Sequence, residues 1–170
     1  MPSILVAPQE FKGSLTAREA AEAIARGIQR ALPDAEIELL PMADGGPGTV
    51  EALVEATGGT YLHADVHNPL GRPLRARWGA SGDTAFIEMA AASGLTLLAP
   101  DERDPRRTTT SGTGELLRAA LDAGYRRLLI GVGGSATNDG GAGMAQALGA
   151  RLLDAAGDEL PPGGAALAEL

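Results

Sequence analysis

The spacing of apolar positions in the first 60 residues predicts a strand–helix–strand–helix opening. Residues 4–7 form a short apolar run ended by a proline, which is typical of a buried parallel strand. A capping box at residues 16–19 precedes a segment whose apolar residues recur every fourth position, as on one face of a helix. Residues 37–40 then predict a second strand, and residues 49–56 predict a short helix that ends at a glycine pair.

From residue 60 the period of the apolar positions changes to two. Residues 60–67 and 74–78 alternate between apolar and polar side chains on either side of the turn at residues 68–71, which predicts a hairpin. A third apolar run at residues 85–88 follows another turn. We therefore expect an antiparallel meander over residues 60 to about 89, which begins a second small domain or a lid.

The helical pattern returns after a polar connection at residues 100–107. The alternation of helices and strands predicts the α/β class with a parallel sheet. The elements expected in this part are a helix at 112–123, a strand at 128–132, a helix ending at 148 and a strand at 151–153. Residues 163–170 look like the start of a helix, so we expect the chain to be incomplete.

Composition and charge exclude several classes of function. The formal net charge is -8, which would repel a phosphate backbone, so neither nucleic acid nor an anionic membrane is an expected partner. The chain contains no cysteine, which excludes disulfide and thiolate chemistry. It shows no leader pattern and no apolar stretch near the ~20 residues of a membrane span, so a cytoplasmic location is expected.

All basic residues are arginine except Lys12. In a chain that uses arginine so consistently, a lysine marks a position where the two cations differ in effect. Lysine is a compact point charge suited to phosphate oxygens, whereas arginine is a planar fork. Lys12 is therefore a candidate phosphate ligand, against the alternative of an ordinary solvent-exposed turn residue.

Three glycine-rich or polar loops, at residues 8–15, 42–49 and 131–143, each follow a predicted strand and precede a helix. Because open α/β sheets bind ligands at the carboxyl ends of their strands, we expect the three loops to gather at one edge. Glycines let the backbone approach an anion, and the N–H groups at a helix start point towards it. This arrangement predicts a phosphate site.

The third loop leaves two interpretations open. Residues 131–136 fit G-x-G-x-x-A, and Asp154 lies near the distance expected of a ribose-binding acid, which favours a dinucleotide-dependent oxidoreductase. Against this, residues 137–140 continue as turn formers where a Rossmann helix should already have begun. A standard P-loop motif is absent from the sequence. Asn138 and Asp139 could bind a metal or act as a base, or could simply form a turn.

Asp44 is the candidate base of the second loop. It could accept a proton from a substrate hydroxyl, bind Mg²⁺, or cap the following helix. Capping is the less natural role, because the helix is expected to begin five residues later, at Thr49. Other polar residues are interpreted as structural: Thr110, Ser111 or Thr113 as a helix N-cap, and His63, His67, Arg72, Arg75 and Arg77 as surface side chains.

At these residues the chain closely resembles the bacterial type I glycerate kinases. The resemblance runs along the whole sequence in six ordered segments, which is far more specific than a single glycine motif. The segments are Phe11–Leu15, Pro41–Gly46, Asn68–Pro73, Ile87–Leu95, Gly112–Glu115 and Gly133–Gly143. The resemblance implies a flavodoxin-like doubly wound parallel sheet with a second α/β domain inserted, Mg-ATP as donor and D-glycerate as acceptor. It favours 2-phosphoglycerate over 3-phosphoglycerate as product.

With this resemblance, residues 1–59 and about 105–170 are expected to form the flavodoxin-like domain, and about 60–104 to be part of the inserted one. Members of the family are longer, so a missing C-terminal half or a homo-oligomer is an expected partner. A fragment that binds ligand without turnover is a further alternative. The sequence departs from the family pattern at Gln9-Glu10, Pro47 and Ser111, where Asp-Ser, Glu and Tyr are commoner.

The resulting hypothesis is in-line phosphoryl transfer, in which the protein positions its reactants and neutralises charge. Lys12, Asp44 and Asp139 are the predicted catalytic residues, one aspartate orienting the attacking hydroxyl and the other helping to hold Mg²⁺. Further residues are predicted to bind phosphate or nucleotide (Gly133, Gly134, Ser135, Thr137 and Asn138) and substrate (Ser14, Gly45, Gly46 and Thr113).

Overall fold

The computed structural model describes residues 1–11 and 14–170, so the predicted phosphate ligand Lys12 and its neighbour Gly13 lie outside the described residues. In this part of the chain the strands are β1 (Ser3–Val6), β2 (Glu36–Leu39), β3 (Thr60–His67), β4 (Pro73–Ser81), β5 (Thr84–Glu88) and β6 (Arg127–Gly131). The α-helices are α1 (Ala17–Ala31), α2 (Thr49–Thr57), α3 (Ala90–Ser93), α4 (Ser111–Asp122) and α5 (Ala142–Ala147).

The first sheet contains β1 and β2 paired in parallel, with Ser3 opposite Glu36 and Val6 opposite Leu39. The helix between them begins as predicted. Thr16 Oγ1 accepts a hydrogen bond from Glu19 N at 3.2 Å, and Glu19 Oε2 accepts one from Thr16 N at 2.8 Å. This reciprocal capping box satisfies two backbone donors that a helix start leaves without partners.

The second sheet has the order β3-β4-β5-β6, and its first three strands form the predicted antiparallel meander. Strand β6 adds in parallel to β5, with Thr84 opposite Arg127 and Glu88 opposite Gly131. The α/β class with parallel pairing is confirmed, but a flavodoxin-like sheet that includes both β1 and β6 is not observed in the described residues. The pattern of a buried strand does not identify its neighbour in the sheet, so the pairing of β6 was open. The proposed division into domains stays a prediction.

The strand predicted at residues 151–153 does not form. Leu153 makes only an isolated bridge with Glu159, and the chain between them is a turn. Asp154 Oδ1 accepts hydrogen bonds from Ala156 N and Asp158 N, both at 2.9 Å, which bends the backbone back on itself. The helical start predicted near residue 163 is a 3₁₀ helix at Gly164–Glu169.

The core lies on both faces of strand β5. On one face α2 contributes Val50 and Val54, which pack against Phe86. On the other face α3 and α4 pack against the meander through small and branched aliphatic residues, as the low aromatic content suggests. Trp78 is buried there in edge contact with Tyr125, their ring centroids 5.6 Å apart. Strand β5 therefore lies between α2 on one face and α3 and α4 on the other.

Among the described residues no helix is long and apolar enough to cross a membrane. The cytoplasmic location expected from the sequence stays a prediction.

Candidate active site

The second and third loops meet where β5 and β6 end. Gly133 N donates a hydrogen bond to Gly45 O at 2.8 Å, and a Cβ on Gly133 would lie 2.6 Å from Gly46 Cα. The first loop joins them through a hydrogen bond from Met42 N to Pro8 O at 2.9 Å. The predicted gathering of the loops is confirmed in the described residues, although the strands that carry them lie in two sheets.

A Gly133→Ala substitution is expected to push the two loops apart. The clash cannot be relieved by rotating a side chain, because the three atoms nearest to the added Cβ belong to the backbone of residues 45 and 46. We expect a loss of about 1–3 kcal/mol in the free energy of unfolding, measured by urea denaturation. The matched control is Gly27→Ala in exposed helix α1, where a Cβ meets nothing within 4 Å. That change is expected to stabilise by about 0.5–1 kcal/mol; equal effects of the two changes would contradict the close approach.

Asp44 is exposed on the second loop, with one carboxylate oxygen used for local structure. Its Oδ1 accepts a hydrogen bond from Gly46 N at 3.1 Å. In the part of the chain that the structure describes, Oδ2 accepts no hydrogen bond. The residue does not cap α2, since the N-cap position is occupied by Gly48 in a left-handed conformation. Asp44 is therefore available to a ligand, as a base or metal ligand must be.

Asp139, in contrast, is an internal anchor of the third loop. Its side chain is 1% exposed, and both oxygens accept hydrogen bonds. The donors are Thr110 N at 2.8 Å, Gly143 N at 3.1 Å, Gly141 N at 3.1 Å, and the hydroxyls of Thr110 at 2.9 Å and Thr109 at 3.3 Å. The carboxylate thus joins the start of α4 to the start of α5. Its lone pairs are already directed at protein donors, which disfavours proton transfer or metal binding.

Three of the predicted phosphate-binding residues, Ser135, Thr137 and Asn138, line a cavity of about 370 Å³ together with Met89 and Met144, whereas Gly133 and Gly134 do not line it. The turn is held internally: Thr137 N donates to Ser135 Oγ at 2.9 Å, and the two hydroxyls are 2.8 Å apart. Ala136 N donates to Ser93 O at 2.9 Å, which fixes the loop on α3. Asn138 is exposed at the cavity mouth. The loop therefore has a defined backbone conformation, held by hydrogen bonds within it and to α3.

The predicted substrate contacts are only partly brought together. Gly45 and Gly46 lie at the meeting point of the two loops. Thr113 lines the cavity but is 2% exposed, and its hydroxyl lies 2.7 Å from Ser93 Oγ. Ser14 lies on the first loop beside Glu10 and Glu19, where its Oγ donates to Phe11 O at 3.0 Å.

Sequence reasoning missed Glu88, which ends strand β5. Its Oε2 accepts a hydrogen bond from Val50 N at 3.1 Å in the first turn of α2. Burial raises the pKa of this carboxyl, against the helix N–H groups and Arg77, which lower it. The signal in the sequence was a single acid at the end of an otherwise apolar strand, within the segment Ile87–Leu95.

The donor set for a divalent cation is small. Among the described residues, no group of three or more His, Asp or Glu side chains could enclose a metal. Mg²⁺ needs no such cage, because it commonly uses one or two carboxylates together with water and substrate phosphates. The Asp44 oxygen that accepts no hydrogen bond from the described residues fits that mode of binding, as it fits the role of a base.

The loop geometry also bears on the dinucleotide interpretation. Helix α5 begins at Ala142, well after the motif at residues 131–136, and Asp154 lies in a turn instead of ending a strand. A Rossmann site needs a helix that starts within the glycine motif and an acid at the end of the next strand, and residues 131–154 have neither.

Comparison with known proteins agrees with the resemblance. A model of the glycerate kinase family matches residues 4–170. The chain is 61% identical, over 98% of its length, to a glycerate kinase of Bacillus subtilis (strain 168). It is 56% identical, over 96% of its length, to a glycerate 2-kinase of Escherichia coli (strain K12). It covers 44% of each of these relatives.

A crystal structure of a Salmonella typhimurium LT2 protein assigned as glycerate kinase 2 matches the fold, with a TM-score of 0.79 and 57% identity. The match covers 99% of this chain and 46% of that one, so the chain spans less than half the length of the relatives it matches. Agreement in family model, sequence and fold over nearly all its residues makes this chain a member of the glycerate kinase family.

Proposed function

We propose that this chain carries part of the active site of an ATP-dependent kinase that phosphorylates D-glycerate to 2-phosphoglycerate. The observation that carries the proposal is the contact between the second and third loops, which brings the loop of Asp44 against a glycine-rich backbone turn. One carboxylate oxygen of Asp44 accepts no hydrogen bond from the described residues. Membership of the family supports the reaction class. The name of the Escherichia coli relative, glycerate 2-kinase, supports the 2-hydroxyl as acceptor.

The donor phosphates would meet the glycine loop at residues 133–138 and the ammonium group of Lys12. Two helix starts near this loop are occupied by the chain's own carboxylates, Glu88 at α2 and Asp139 at α5. Within the turn, the N–H groups of Gly134, Ser135 and Asn138 make no hydrogen bond to the described residues, and these are the backbone donors we assign to phosphate. A lysine supplies a compact positive charge that can neutralise the charge spread over the oxygens of the transferring phosphoryl group.

Asp44 is assigned to the acceptor. Its Oδ2 would accept the proton of the glycerate hydroxyl. The hydroxyl oxygen of glycerate would attack the γ-phosphorus in line, while the bond from the γ-phosphorus to the bridging oxygen breaks and ADP leaves. Mg²⁺ would be held by the donor phosphates and water, and it would neutralise charge that builds up on the transferring group. Between the two aspartates, the exposed Asp44 is the one open to substrate, and Asp139 positions the loop.

The test is phosphorus NMR of the protein mixed with Mg-ATP and D-glycerate, with L-glycerate and glycerate-free mixtures as controls. The chain is assayed beside any longer form its gene encodes. A new phosphomonoester signal whose proton coupling indicates one neighbouring hydrogen identifies 2-phosphoglycerate, whereas coupling to two hydrogens identifies the 3-product. A signal only from the longer form means that this chain lacks part of the site. Absence of any signal from both forms would overturn the proposal.

A further inference from the structure

We propose that Glu88 is a positioning residue of the glycerate kinase site, holding the Asp44 loop in place by capping helix α2 from a neighbouring strand. This inference rests on the proposed function for its effect on turnover. Its effect on the loop is independent of the reaction. Glu88 belongs to the second sheet and α2 belongs to the segment after the first sheet, so the contact links two separate parts of the fold.

Helix α2 begins without a cap of its own. Its N-cap residue is Gly48, which has no side chain to accept a hydrogen bond, and its φ is 88°. The first N–H groups of a helix need an acceptor and attract negative charge. Glu88 Oε2 meets this need at Val50 N, at 3.1 Å, and the N–H groups of Thr49 and Gly48 also act on the carboxyl.

The capped helix start is also the end of the Asp44 loop. Thr49 Oγ1 donates to Gly46 O at 2.7 Å, so a shift of the first turn of α2 moves Gly46 directly. Gly46 N in turn donates to Asp44 Oδ1 at 3.1 Å, which sets the orientation of the catalytic carboxylate. Three hydrogen bonds thus run from Glu88 to Asp44 through the helix start.

The same loop is held from its other side by the strand next to Glu88. Gly133 N donates to Gly45 O at 2.8 Å, and Met89 N, directly after Glu88, donates to Gly131 O at 2.9 Å. These contacts therefore form a closed ring, which runs from Glu88 through α2, the Asp44 loop and the third loop and returns to Met89 beside Glu88. Loss of Glu88 removes the only side-chain acceptor at α2 that the described residues supply, and opens this ring.

The groups around Glu88 determine how its contribution to stability depends on pH. The charged side chain acting on it is Arg77 of β4, which also lies 3.4 Å from Glu51 of α2. Strand β6, on the other side, ends there in Gly131 and brings no charge. Because burial raises the pKa of Glu88 above its ordinary value of 4.5, the protonated form adds stability below that value. This contribution is lost as the pH rises through the raised pKa.

The test compares Glu88→Gln, Glu88→Asp and Glu88→Ala by hydrogen exchange over residues 44–50 and by steady-state kinetics. Gln keeps an acceptor at the same reach, Asp falls short by one methylene, and Ala has none. We expect exchange to be about five- to tenfold faster in the Ala variant and near wild type in the Gln variant. Turnover should fall about a hundredfold in the Ala variant, less in Asp and least in Gln. The difference in melting temperature, Gln variant minus wild type, should increase from pH 4 to pH 7, because only the wild type loses the contribution of protonated Glu88.

The outcomes separate the possible roles. If the Gln variant is as inactive as the Ala variant, Glu88 takes part in proton transfer and the positioning role is overturned. If the Ala variant exchanges like wild type at residues 44–50, Glu88 does not hold the loop. Should Ala fail to fold, as judged by the fluorescence of Trp78, the Asp and Gln variants decide the comparison. A wild type that makes no phosphoglycerate overturns the proposed function and the kinetic part, while exchange still decides whether Glu88 holds the loop.

Discussion

Replacing Asp44 by asparagine is expected to lower kcat about 10²- to 10⁴-fold, the range that a positioned general base contributes. Asparagine retains the oxygen that accepts the hydrogen bond from Gly46 N, so the turn should keep its shape. It cannot accept the proton of an attacking hydroxyl. Since the side chain is exposed, we expect the melting temperature to stay near that of the wild type. The measurement is kcat and KM for glycerate in whichever form of the protein turns over.

The control for this change is Asp65→Asn. Asp65 is also an exposed aspartate, but it lies on the outer face of the meander, in strand β3. The same change of charge there should leave kcat unaltered, which separates a local effect from one of net charge. An Asp44→Asn variant with wild-type kcat would remove Asp44 from the chemistry and return Asp139 to consideration.

Replacing Asp139 by alanine is expected to act on stability first. The change leaves the buried N–H groups of Thr110 and Gly143 without an acceptor, and each such loss costs about 1–3 kcal/mol. We therefore expect the free energy of unfolding to fall by about 3–5 kcal/mol, in the range of broken buried networks. Urea denaturation followed by the fluorescence of Trp78, the single tryptophan, measures it.

Asp154→Ala is the matched control for the change at Asp139. Asp154 also accepts two backbone N–H bonds, at 2.9 Å each, but in a surface turn where water can replace it. A loss below about 1 kcal/mol is expected there. If Asp139→Ala unfolded as the wild type does yet lost turnover, Asp139 would have a direct catalytic role and our ranking of the two aspartates would be reversed.

Local elements of this fold followed from the sequence because their causes are local. The capping box at Thr16 and the turn at residues 68–71 are set by neighbours a few positions apart, and the structure has both. The alternation in β3 and β4 reflects one buried face, and this determined the meander. The strand expected at residues 151–153 failed because a strand needs a partner, and no short window of sequence identifies one.

The residues of the candidate site could likewise be predicted from the sequence only where the cause is local. The sequence marked the glycine loops and both aspartates, because glycine and acid at the ends of strands are visible in a short window. Only the tertiary structure distinguished Asp44 from Asp139, since burial and five donors from two segments decide what a carboxylate can do. The position of Glu88 depends likewise on a contact across 38 residues. The sequence by itself therefore determined the residue types and the local turns, whereas the packing of distant segments decided which acids face a ligand and which hold the loops.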